Sequence, residues 1–116
     1  MELREVYKNV LEALCEVGAD ISSSRYMYMV LDTVIKSHLV RYPFLSAVEV
    51  DPGRARVYVG DVFDPDPRLA GAALSEIVRF IKKPFTSMGK QSFTSMVQAQ
   101  IDTETRDELR KLNINL

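Results

Sequence analysis

Apolar residues recur at helical spacing from the start of the chain. Leu3, Tyr7, Val10, Leu14 and Val17 fall four and three residues apart, with Val6 and Leu11 beside them. That stripe predicts a helix over residues 2–17, and Gly18 stands where a left-handed C-terminal cap is expected. Ser22, Ser23 and Ser24 offer an N-cap hydroxyl to a second helix. Its stripe is Met27, Val30, Leu31, Val34, Ile35, His38 and Leu39. It should stop near Arg41, because Pro43 pushes Tyr42 out of the helical region. Two helices joined by a short turn predict an antiparallel helical hairpin.

The period then changes from the helical value to two. Val48 and Val50 alternate with Ala47 and Glu49, and Ala55, Val57 and Val59 alternate with Arg56 and Tyr58. Asp51-Pro52-Gly53-Arg54 lies between them as a turn sequence, so residues 45–50 and 54–60 are expected to form a β-hairpin. Asp66 and Pro67 carry a helix-start signature ahead of Leu69, Ala70, Ala73, Leu74, Ile77, Val78 and Ile81; Pro84 ends that helix.

Phe85-Thr86-Ser87-Met88 returns as Phe93-Thr94-Ser95-Met96. The pair reads as a second hairpin, or as a glycine loop leading into a strand. Phe93, Ser95, Val97, Ala99 and Ile101 alternate with Thr94, Met96, Gln98 and Gln100, which predicts a long strand with one polar face. Asp102 or Thr103 can cap a last helix over 103–112, with the tail 113–116 frayed. The order ααββα(β)βα gives an α+β fold: an N-terminal helical hairpin, a small mostly antiparallel sheet, one central helix and a short C-terminal helix, in a single domain over 1–116.

Composition narrows the function class. The chain has 116 residues, 47% of them hydrophobic and 27% charged, which fits one globular domain and excludes a collagen-like or wholly disordered chain. Cys15 is the only cysteine, so no disulfide can form within the chain and a reducing cytoplasm is the expected compartment. The charged opening Met1-Glu2-Leu3-Arg4-Glu5 does not read as a signal peptide, and no apolar run is long enough to suggest a membrane span.

Net charge is −1, which argues against a globally basic nucleic-acid binder, yet the charge is unevenly placed. Residues 1–24 hold five acids and two bases, whereas residues 77–101 hold Arg79, Lys82, Lys83 and Lys90 and no acid. Gln91, Ser92 and other hydroxyls accompany these cations, with Phe80, Phe85 and Phe93 nearby. Cations, hydroxyl donors and rings together suit a phosphate or nucleic-acid surface. The simpler reading makes the lysines partners of a helix C-terminus and the rings core. Gly89-Lys90-Gln91-Ser92 fails as a P-loop, because Pro84 stands where the earlier glycine belongs and Gln91 where Ser or Thr should meet the metal.

Asp61, Asp64 and Asp66 could offer oxygens to a hard cation, but the spacing is not that of an EF-hand and Asp66 suits a helix cap better. Cys15 and His38 could meet across the helical hairpin as a nucleophile and base, but no orienting group is evident. No cofactor is implied. The first helix carries apolar residues on more than one side, which suggests that surplus apolar surface is buried against a second copy. Val6, Leu11, Tyr26 and Tyr28 are the candidate residues of that dimer or partner surface. The leading expectation is therefore a non-enzymatic homodimeric module that binds a protein partner or a small ligand. An anion or nucleic-acid binder built on the basic segment is second, and an enzyme third.

Overall fold

The computed structural model describes residues 1–88 and 90–114, with the side chains of 86–88 and 90–92 excepted. The opening stripe forms α1 (Leu3–Ala19), and the second forms α2 (Ser24–Ser37). Ser23 is the N-cap of α2: its hydroxyl accepts from the Tyr26 N–H at 3.1 Å. Gly18 is not a cap. It lies inside the last turn of α1 and is buried beneath Met27, whose side chain occupies the space a Cβ would need. The glycine thus serves the close approach of the two helices rather than a turn.

A 3-10 turn (Pro43–Ala47) leads into β1 (Val48–Asp51), which pairs antiparallel with β2 (Arg56–Val59). The register sets Val48 against Val59 and Val50 against Val57. These valines share one face, as the alternation predicts, and the ribbon lies across the helical hairpin with β2 on α1 and β1 on α2. Ala55 takes a positive φ of 54°, so the left-handed turn residue is Ala55 rather than the glycine.

The Asp66 carboxylate accepts from the Arg68 N–H at 2.8 Å and starts α3 (Pro67–Lys82), with Pro67 at the first position. Leu69 departs from the predicted buried stripe and is exposed. A 3-10 stretch (Lys83–Met88) follows, then α4 (Lys90–Gln100) and α5 (Thr103–Lys111). The predicted strand over 93–101 is therefore mostly helix. Phe93, Val97 and Ile101 are four residues apart and all buried, while Ser95, Met96 and Ala99 face solvent. A repeat of four satisfies both periods, and the neutral Gln, Ala and Met positions favour the helix.

The tail is not frayed through Ile114. Asn113 adopts a left-handed φ of 58°, the Ile114 N–H reaches the Leu109 carbonyl at 2.9 Å, and the Asn113 N–H reaches that of Arg110 at 3.0 Å. This is a Schellman closure, and Ile114 is buried with Leu109 in the core. The architecture is α+β, with five helices and a two-stranded sheet among the described residues.

Candidate interaction surfaces

α1 packs against α2, β2, α3, α4 and α5. A helix surrounded on that many sides needs apolar residues beyond a single stripe. This corrects the reading of Val6 and Leu11 as a dimer surface: both are fully buried within their own chain. Tyr28 is corrected in the same way. It points into the core, and burial, with added repulsion from the charges of Cys15, Glu12 and Glu16, pushes its phenol well above the ordinary tyrosine range. The Cys15 thiol is also inside, 3.7 Å from the Met27 carbonyl oxygen, and burial pushes it up to about 12. A thiol held neutral in this way is not an activated nucleophile.

Tyr26 is the candidate that stays outside, at 59% exposure. Met29, three residues on and 51% exposed, stands beside it on the same face, and half-buried Val30 completes the patch. Helical spacing distinguishes Met29, since it lies off the buried Met27–Leu31–Ile35 line. Charges border this patch. Arg25 is exposed at one end, and Asp32, bonded to Lys36 at 3.0 Å, lies toward the other.

The basic segment is partly drawn together. Arg79 and Lys83 are exposed near the end of α3, whereas the Lys82 ammonium donates to the Thr94 hydroxyl at 2.6 Å and ties α3 to α4. Phe85 and Phe93 stack at 4.6 Å and are buried, so they serve the core rather than a ligand. Phe80 is the outward ring, at 54% exposure; its position off the Ile77–Val78–Ile81 line marks it. The side chains of Lys90, Gln91 and Ser92 lie outside the described residues.

The loop aspartates are committed separately. Asp61 pairs with Arg4, Asp66 caps α3, and Asp64 is exposed. Phe63 anchors this loop in the core, 4.7 Å from the Tyr7 ring, and the Tyr7 hydroxyl donates to the Ala70 carbonyl. A cleft of about 310 Å³ lies between α1 and the α4–α5 junction, lined by Asn9, Glu12, Glu16, Gln100 and Asp102 among others. Three of its polar groups are engaged in structure: Asn9 donates to Thr105 at 3.2 Å, Glu12 accepts from the Val57 N–H and Asp102 caps α5.

His38 closes the end of α2, on the apolar stripe where the sequence places it. Its Nδ1 is 2.7 Å from the Val34 carbonyl oxygen and 3.1 Å from the Ser37 hydroxyl, and its Nε2 is 3.7 Å from Glu76 Oε2. Serine, histidine and carboxylate in line resemble a hydrolytic triad. The resemblance ends at Nδ1: a carbonyl only accepts, so Nδ1 carries the proton and cannot take one from Ser37.

Among the described residues, no helix is long and apolar enough to cross a membrane. No protein-family model, curated protein or solved structure matches the chain.

Proposed function

We propose that the protein is a non-catalytic interaction module that pairs with a second copy of itself through the outer face of α2. One observation carries this reading: Tyr26 and Met29 form an exposed apolar patch between two opposite charges, Arg25 and Asp32. Tyr and Met are enriched where protein surfaces meet, and charge is depleted at the centre of such contacts. Arg25 and Asp32 are seven residues apart, two turns along one face. An antiparallel two-fold crossing centred between Tyr28 and Met29 sets Arg25 of each copy against Asp32 of the other. The patch is complementary to itself in apolar character, and Arg25 of one copy would join or replace Lys36, 3.0 Å from Asp32 within each chain, as a partner of that carboxylate, as a two-fold contact allows. A net charge of −1 adds little repulsion between copies. The single buried cysteine suits a reducing compartment such as the cytoplasm.

Sedimentation velocity tests the proposal. The wild-type chain is expected to be dimeric, Met29→Glu and Arg25→Asp monomeric, and the exchanged pair Arg25→Asp with Asp32→Arg dimeric again. A wild-type chain that stays monomeric up to concentrations on the order of 100 µM overturns the reading, since even small specific interfaces reach that affinity. So does a Met29→Glu variant that still pairs.

A further inference from the structure

We propose that His38 and Glu76 form an acid-strengthened clasp that fastens the C-terminal end of α2 to α3. The clasp begins with the tautomer. The Val34 carbonyl oxygen, 2.7 Å from Nδ1, fixes the proton of the neutral ring there and leaves a bare lone pair on Nε2. That lone pair faces Glu76 Oε2 across 3.7 Å. Glu76 Oε1 has a partner, the Arg41 guanidinium at 2.9 Å, but Oε2 is buried with no hydrogen-bond partner among the described residues. Two acceptors therefore confront each other while the ring is neutral. A buried acceptor left without a donor is unfavourable. A second proton on Nε2 replaces that confrontation with a charge-assisted contact, and the unsatisfied oxygen gains its donor.

The surrounding groups define the site. Glu76 approaches from α3, Arg41 from the segment after α2, and the Ser37 hydroxyl from α2 itself. The Phe80 ring of α3 stands edge-on to the imidazole at 5.2 Å. The Arg41 cation shares the carboxylate but binds its other oxygen, so the imidazolium and the guanidinium need not compete for one atom. Protonation thus tightens the α2–α3 joint, and with it the seating of Phe80. This inference does not depend on self-association through α2.

A double-mutant cycle with His38→Gln and Glu76→Gln tests it by urea unfolding at about pH 5.5 and about pH 8. The coupling between the two positions is expected to be larger at the acid pH by roughly fivefold in the unfolding constant. Arg41 is present throughout the cycle, so its own contact with Glu76 cancels from the change in coupling with pH. Equal coupling at both pH values overturns the clasp. Should a variant fail to fold, nitrogen NMR of the wild-type chain decides, because His38 is its only histidine. The expected spectrum has the proton on Nδ1 alone at about pH 8 and an exchange-protected Nε2 proton at about pH 5.5. A ring protonated on Nε2 alone at the higher pH overturns the proposal.

Discussion

Glu12 on α1 accepts the backbone N–H of Val57 on β2 at 2.8 Å, and the same oxygen holds the Lys8 ammonium at 2.7 Å. A two-stranded ribbon has two edges, and no third strand among the described residues covers either. Here a helix side chain satisfies an amide on one of them. The contact joins residues 45 positions apart and fixes how the ribbon sits on α1.

Replacing Glu12 by leucine leaves the Val57 N–H without its acceptor while keeping bulk at the site. The expected loss is about 1–3 kcal/mol of stability, the penalty for stranding a partly buried donor. Urea unfolding measures the loss, and faster hydrogen exchange at the Val57 amide locates it. Glu12→Gln retains an acceptor oxygen and should lose less. Equal losses for the two variants would mean that charge rather than the hydrogen bond matters.

The contrast between Phe93 and Val57 shows what was legible in the sequence. Val57 recurs at period two with Ala55 and Val59 along its strand and has a Pro-Gly turn behind it, so period and turn chemistry agree. Phe93, Val97 and Ile101 satisfy a period of four, which a strand also satisfies; packing on α1, together with the Gln, Ala and Met positions, selects the helix. Val6 and Leu11 were legible as apolar but not as central, because their burial depends on elements far along the chain. The opposition of His38 and Glu76 is equally non-local: 38 residues separate them, and no local pattern links a helix-ending histidine to a glutamate in another helix.

Gly71 is held by the chain terminus. A Cβ on Gly71 would sit 3.1 Å from the Leu112 carbonyl oxygen, which belongs to the Schellman closure after α5. Backbone yields less readily than a side-chain tip. Gly71→Val should therefore destabilise the fold by about 1–3 kcal/mol through overpacking, despite removing a helical glycine. The corresponding change at Gly18 meets the end of the buried Met27 side chain at still shorter range and should cost at least as much. Thermal unfolding of the two variants side by side checks the ranking.

Cys15 gives a prediction at alkaline pH. Its thiol has an ordinary value of 9.0 and is held at about 12 in the fold by burial, with Glu12 and Glu16 adding repulsion of the thiolate. Above pH 9 the unfolded chain therefore releases a proton that the folded chain keeps. Stability from this group is complete below about 9 and declines as pH rises toward about 12. Tyr7 and Tyr28, both raised by burial, push in the same direction. Cys15→Ala should show a shallower alkaline decline than wild type. A thiol reagent at about pH 8 should react with the native chain only at the rate of opening, since the thiolate is the reactive form.

Asp102 governs the acid side at the start of α5. Its carboxylate accepts from the Thr105 N–H at 2.8 Å, and hydrogen bonding from Thr105 holds the carboxyl below its ordinary value of 3.8. A lowered folded value means that the cap stabilises the fold above the unfolded value and that this stability is lost as pH falls through the folded one. Thr105 is itself fully buried, with its hydroxyl accepting from Asn9 on α1, so loosening the cap also loosens the seat of α5 on α1. Asp102→Ala should lower the unfolding temperature at neutral pH. Asp102→Asn, a cap of similar strength without a titrating group, should preserve it and flatten its fall in acid. An unchanged acid profile in the asparagine variant would assign that fall to other carboxylates.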